Sequence, residues 1–180
     1  MFTLLGYPVS GSSSIPGMKI SAGVEWALHC CVALSGIDRP VSTAKMAEMT
    51  DVSASYLAKQ LQALSRAGLI TSVQGNAGGY VLTRAPEKIS VLDVVLAIEG
   101  PTPMFECTEI RQRGPVGAPP EECRESCPIA KAMLAGEQAW RSALREVSIH
   151  DIGTEMAGSI SPERMAAMLN WIQPGATRAG

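Results

Sequence analysis

The sequence predicts a mostly α chain with a small β-hairpin wing. Three features carry that reading: two short capped helical stretches joined by a tight turn, a glycine-rich "SVQGNAGGYVL" between two β-prone runs, and a long amphipathic stretch from Pro128 after a Pro/Gly-rich loop. Helical periodicity marks the first and third, and turn chemistry marks the second.

Residues 1–17, "MFTLLGYPVSGSSSIPG", lack the basic start and long apolar run of an export signal. They read as a flexible leader or an upstream start, with Met18 of "MKISAG" as the more natural beginning. The first helix is expected from Ile20 to Ser35, and "GIDRP" ends it. Ser42 is placed to cap the next helix, "VSTAKMAEMT". A turn at Asp51-Val52 follows. Ser53 caps "ASYLAKQLQALSRA", and Gly68 stops it. "LITSVQ" and "YVLT" read as strands either side of the glycine turn. Pro86 breaks the chain. In "SVLDVVLAIEG", Ser90 and Asp93 have capping-box spacing and Gly100 closes the helix.

Residues 101–127 turn to Pro, Gly and charge and read as a cysteine-containing loop. "PIAKAMLAGEQAWRSALREVSIHDI" is then expected as one helix over 128–152, with Ile129, Met133, Trp140, Leu144 and Val147 on one apolar stripe. Such a stripe is too apolar to face water, so it is assigned to dimerisation. Residues 153–180 are expected as a short helix near Trp171 and a tail. The expected organisation is therefore a winged helix-turn-helix domain over 18–100, the loop, a dimerisation helix and a C-terminal segment.

Two short helices and a hairpin in that order describe a winged helix-turn-helix, an architecture expected to read DNA. Leu57, Leu61 and Leu64 share one face of the second helix, and Ser55, Tyr56, Lys59 and Arg66 point away. Leucines would hold the helix down while polar residues reach bases and phosphates. A glycine-rich wing lets backbone approach the duplex. The expected contacts are Ser53, Ser55, Tyr56, Lys59, Gln60, Arg66, Gly75, Asn76 and Gly78. The alternative for that helix is an ordinary solvated face.

Net charge is −2 and the pI about 5.7, which alone argues against a nucleic-acid partner. The charge is unevenly placed, however. Residues 39–84 hold five basic and two acidic residues, and the rest of the chain ten and fifteen. A phosphate backbone senses the local basic face. Hydrophobic content of 46 % and a mean hydropathy of +0.13 indicate a globular chain, with no run approaching the ~18 residues of a membrane span. The expected compartment is a reducing cytoplasm, where structural disulfides are rare. No nucleophile–base set or phosphate cradle points to an enzyme.

"MKISAGVEWAL", "VSASYLAKQLQALSRAGLITSVQGNAGGYVLTR" and "ISVLDVVLAIEG" resemble the winged-helix iron–sulfur transcription regulators that include IscR and NsrR. The resemblance runs from Met18 to about Asp151. "GVEWALHCCVAL", "FECTEIRQRGP" and "CPIA" are most similar to its redox-responsive actinobacterial branch. It implies a homodimeric DNA-binding regulator, built on the long helix after the loop, whose iron–sulfur cluster alters operator binding.

Five cysteines are present: Cys30, Cys31, Cys107, Cys123 and Cys127. Fifteen residues separate Cys107 from Cys123 and three separate Cys123 from Cys127. This is neither a pair of zinc knuckles nor the evenly spaced triplet usual in the family the chain resembles. Clusters usually take four thiolates, though histidine can replace some. The loop thus falls at least one thiolate short. On the first helix Cys31 falls with Ile20, Val24, Ala27 and Leu28 and reads as a core residue, with Cys30 at the edge of that face.

With Ile20 at zero, Glu25 and His29 fall at about 140° and 180°, together and opposite the core face. Side chains four apart present their heads to one point. By spacing alone a solvated pair is the favoured reading. The thiolate shortage and the resemblance favour a metal site. The expected set is a 2Fe–2S cluster held by Cys107 and Cys127 of one protomer and Glu25 and His29 of the other, with Cys123 as alternative ligand. Trp26, at about 240°, is either an anchor of the domain or dimer, or a redox-coupled ring shielding the cluster. The expected function is a cytoplasmic redox-sensing repressor. The alternatives are a cluster-free regulator with a thiol–disulfide switch and a small electron-transfer protein.

Overall fold

A computed structural model describes residues 20–75 and 78–172. The expected leader, the Met18 start, wing residue Asn76 and the tail after residue 172 lie outside the described residues.

Helix α1 (Ala22–Ser35) buries Val24, Ala27, Cys30, Cys31 and Leu34. Its Ser21 cap makes no side-chain bond. Instead the Ser21 N–H donates to Glu99 Oε1 at 2.9 Å, which ties the start of α1 to the end of α4 (Val91–Glu99). Helix α2 (Thr43–Thr50) is capped by Ser42, as its spacing predicts, and stops where Asp51 turns left-handed at φ 52°. Helix α3 (Ala54–Arg66) follows, with Ser53 accepting from the Tyr56 N–H. Its Leu57, Leu61 and Leu64 are fully buried. Each such leucine contributes roughly 1.5–3 kcal/mol, so this stripe fixes α3 against α1 and α4.

Strands β1 (Ile70–Val73) and β2 (Gly79–Leu82) pair antiparallel, from Ile70 opposite Leu82 to Val73 opposite Gly79. Val41 adds a third rung: its N–H donates to the Tyr80 carbonyl at 3.1 Å and its carbonyl accepts from the Tyr80 N–H at 2.9 Å. This close approach requires Gly79, because a Cβ there would collide with the Val41 carbonyl. Helix α4 begins on the capping box of Ser90 and Asp93 that the sequence predicted.

The single helix expected over 128–152 is two helices, α5 (Pro128–Glu146) and α6 (Ile149–Ser159), followed by α7 (Pro162–Ile172). The break is specified by hydrogen bonding. Ser148 and Asp151 form a second capping box. The Val147 carbonyl accepts from the Val91 N–H, and the Ile149 N–H donates to the Ile89 carbonyl, both at 2.9 Å. Segment 147–149 therefore bonds to segment 89–91 instead of continuing the helix, with Val147 extended at φ −100°, ψ 121°. The short C-terminal helix expected after residue 153 is accordingly preceded by most of α6.

The main core joins α1, α2, α3, β1 and α4 with Ile149 and Ile172. A second cluster of Val24, Val91 and Val95 receives Trp140 and Leu144 of α5. Because α3, α4 and α6 all pack on α1, Cys30 is not at an edge; it is as fully buried as Cys31. No helix among the described residues is long and apolar enough to cross a membrane.

Candidate nucleic-acid interface and metal site

The α3 face opposite its leucines carries the exposed Ser53, Ser55, Tyr56, Lys59 and Arg66. Gln60 departs from this group. Its amide lies against Gly23 of α1, close enough that a Cβ at residue 23 would meet it at 2.9–3.1 Å. The structure thus uses Gln60 to seat α3 on α1. In the wing, Gly75 has φ 121° and a Cβ at Gly78 would meet the Gly75 and Val73 carbonyls at 2.8 Å. Both glycines serve the turn itself.

Glu25 and His29 are exposed on α1, as their spacing predicts. They do not face open solvent alone. They line a groove of about 980 Å³ between α1, α6 and α7, together with Trp26, Met165, Met168 and Leu169. Trp26 is half-buried and meets Tyr56 edge-on, ring centroids 5.0 Å apart at 84°. The residue between the two candidate ligands therefore touches the exposed face of α3.

The cysteine loop is structured by contacts that periodicity does not reveal. At its entry the Met104 N–H donates to Glu137 Oε2 on α5 at 3.1 Å. Glu137 is the one buried charged side chain among the described residues, neutralised by Arg141 at 2.7 Å. Further along, Arg111 donates to both Glu109 carboxylate oxygens and to the Glu125 carbonyl. The fork hydrogen bond from Arg111 holds the Glu109 carboxyl below its ordinary range and raises Arg111.

Cys107 is exposed, Cys123 half-buried and Cys127 buried. Cys127 sits at the start of α5, where the N–H groups of Ala130 and then Ile129 point at its sulfur and lower its thiol below the usual value. Burial opposes the shift and the Arg111 charge assists it. Cys30 and Cys31 behave oppositely: burial pushes both thiols up to about 12. Within one protomer, no three His, Cys, Asp or Glu side chains among the described residues converge to hold a metal ion. The four expected ligands therefore do not assemble in a single chain.

The expected dimer stripe divides in two. Trp140 and Leu144 pack on the Val24, Val91 and Val95 cluster of their own chain. Ile129 and Met133 remain 64 % and 48 % exposed, beside Leu134 at 45 %, and Val147 is exposed as well. One contact had no sequence signal: Lys45 of α2 lies 3.4 Å from the centre of the Trp171 ring of α7.

A family model described as iron-dependent transcriptional regulator, Rrf2, matches residues 20–155. The HTH-type transcriptional repressor NsrR of Streptomyces coelicolor is 24 % identical over 146 residues, covering 79 % of this chain and 93 % of that protein. Among solved structures, IscR of T. potens superposes with a TM-score of 0.62 at 22 % identity, covering 85 % of this chain and 99 % of that one. CymR, the global cysteine regulator of B. subtilis, superposes with a TM-score of 0.57 at 24 % identity, covering 77 % of this chain and 98 % of that one. At these identities the two structures speak for the fold, and the family match speaks for more: this chain belongs to the Rrf2 family of transcriptional regulators.

Proposed function

We propose that the protein is a cytoplasmic, homodimeric DNA-binding repressor that senses redox state through a 2Fe–2S cluster. The observation that carries this reading is the path Glu25–Trp26–His29 on α1, open to a groove on one side and touching Tyr56 of the DNA-facing helix on the other. Cys107 and Cys127 of one protomer, with Glu25 and His29 of its partner, would hold the cluster; Cys123 is the alternative ligand. The donor chemistry fits. Cys127 is held toward thiolate by two helix N–H groups, and thiolate is the form that binds iron. An imidazole and a carboxylate at the remaining positions suit a cluster whose potential differs from that of a four-thiolate one.

The cluster supplies a one-electron change of charge. The chain's residues convert charge into shape. Trp26 of α1 would report to α3 through Tyr56, and α3 packs on α1, so a shift of α1 would re-aim the recognition face. Ser53, Ser55, Tyr56, Lys59 and Arg66 supply base and phosphate contacts there. Such control needs two states of one element with different affinity for the operator.

Anaerobic purification with iron and sulfide analysis, and spectroscopy of the reduced paramagnetic form, tests the assignment. Cys107→Ala and Cys127→Ala should abolish the cluster, Cys123→Ala should spare it, and Glu25→Ala or His29→Ala should alter or lose it. Loss with Cys123→Ala and an unchanged spectrum in both α1 variants would make three loop cysteines the ligands. A second reading, a thiol–disulfide switch, draws support from the lowered Cys127 thiol, with the free Cys123 four residues before it in the same loop. A colourless protein that loses free thiols with peroxide would favour it.

A further inference from the structure

Arg111 joins the two sides of the cysteine loop at positions symmetric about the candidate ligands. Glu109 stands two residues after Cys107, and Glu125 stands two residues before Cys127. Arg111 Nε and Nη2 donate to the two Glu109 carboxylate oxygens at 2.6 and 2.9 Å, and Nη2 also donates to the Glu125 carbonyl at 3.0 Å. The Arg111 carbonyl in turn accepts from the Ala118 N–H at 2.8 Å. Glu109 takes a left-handed φ of 51° in this arrangement, a conformation that side-chain-bearing residues adopt only when their surroundings enforce it.

We propose that Arg111 is a positioning residue that closes the loop and presents Cys107 and Cys127 as a preformed pair for the cluster, an inference that rests on the cluster reading above. Nineteen residues separate these two cysteines. In an open loop the entropy of bringing them together would be lost at the moment of metal binding. A loop already closed by the guanidinium takes that loss during folding, which raises affinity and slows release. An isolated exposed ion pair would do little. Here the fork is bidentate, which fixes direction as well as distance, and a third acceptor fourteen residues away completes the closure. The guanidinium is held between Glu109 and Glu125, each two residues from a candidate ligand, so its charge favours electron uptake by a cluster bound there.

The test compares Arg111→Gln and Arg111→Lys with the unaltered full chain, after thermal unfolding has shown that all three fold. With the cluster removed, a glutamate-specific protease should cut Arg111→Gln after Glu121 and Glu122 on the order of tenfold faster, because cleavage follows the open population. With the cluster bound, Arg111→Gln should lose it to an iron chelator faster by a similar factor, and its reduction potential should move to more negative values. Arg111→Lys keeps the charge and loses the fork. It should therefore keep the potential while losing the cluster faster. Unaltered chain that loads iron and sulfide, together with Arg111→Gln that matches it in both rates, overturns the clasp alone. Unaltered chain that takes up no iron and sulfide overturns the cluster reading and the clasp's purpose with it.

Discussion

Trp26 and the paired cysteines four and five residues beyond it show how one helix divides its labour. Cys30 and Cys31 are fully buried and their thiols are pushed up to about 12. Cluster-free protein treated with an alkylating reagent near neutral pH should thus label Cys107 and Cys123 quickly and Cys30 and Cys31 only on unfolding, as mass spectrometry of the digest would report. The sign of the pH effect follows. A thiol raised in the folded state favours folding below the ordinary cysteine value, near 8.5, and that contribution is lost as pH climbs from there toward 12. Denaturation midpoints should fall in this alkaline window, and Cys30→Ala should flatten the fall. At Trp26 the expectation concerns coupling. Trp26→Ala removes the edge-on contact with Tyr56, so operator affinity should no longer differ between oxidised and reduced protein in an electrophoretic or fluorescence assay. An undiminished redox difference would place the signal elsewhere. The outward place of Glu25 and His29 and the core place of Cys31 were readable from helical angle alone. Arg111 and Glu137 were not, because their partners stand fourteen and thirty-three residues away and neither belongs to a periodic stripe.

Among the elements, local chemistry made α2, α3 and α4 readable: Ser42, Ser53 and Ser90 each cap the helix their spacing predicts. The break between α5 and α6 was hidden for a different reason. Apolar periodicity runs on through Val147, while the Ser148/Asp151 box repeats the Ser90/Asp93 spacing without any Gly or Pro to advertise a stop. Ser148→Ala should cost about 1 kcal/mol in denaturant unfolding, the usual worth of such a cap. Bonds from the Ser148 hydroxyl and then its N–H hold the Asp151 carboxyl below its ordinary range. The cap's help is therefore complete above that range and fades as pH falls through the lowered value. At α3, Lys59 is exposed on the face opposite the leucines. Lys59→Ala should weaken binding to every sequence and reduce the salt slope by roughly one unit, measured by titration at several ionic strengths; an unchanged slope would remove Lys59 from the phosphate contacts.

For the whole molecule, the stripe that the sequence presents as one face divides between the chain's own second core and exposed residues. Trp140 and Leu144 belong to the chain's own second core, so Trp140→Ala should lower stability, by about 3 kcal/mol if that packing resembles other aromatic truncations. Ile129 and Met133 are exposed, so Ile129→Asp with Met133→Asp should yield a monomer by sedimentation while leaving the unfolding temperature of the head nearly unchanged. A dimer that survives the double change would move the interface off α5. The paired backbone bonds between 89–91 and 147–149 carry a wider consequence. The chain leaves the head through α4, travels around the cysteine loop, and returns along α5 to the spot it left. The loop is thus the tip of an excursion whose two feet are bolted side by side. Because the feet are bonded to each other, a change in the stretch between them need not move the head.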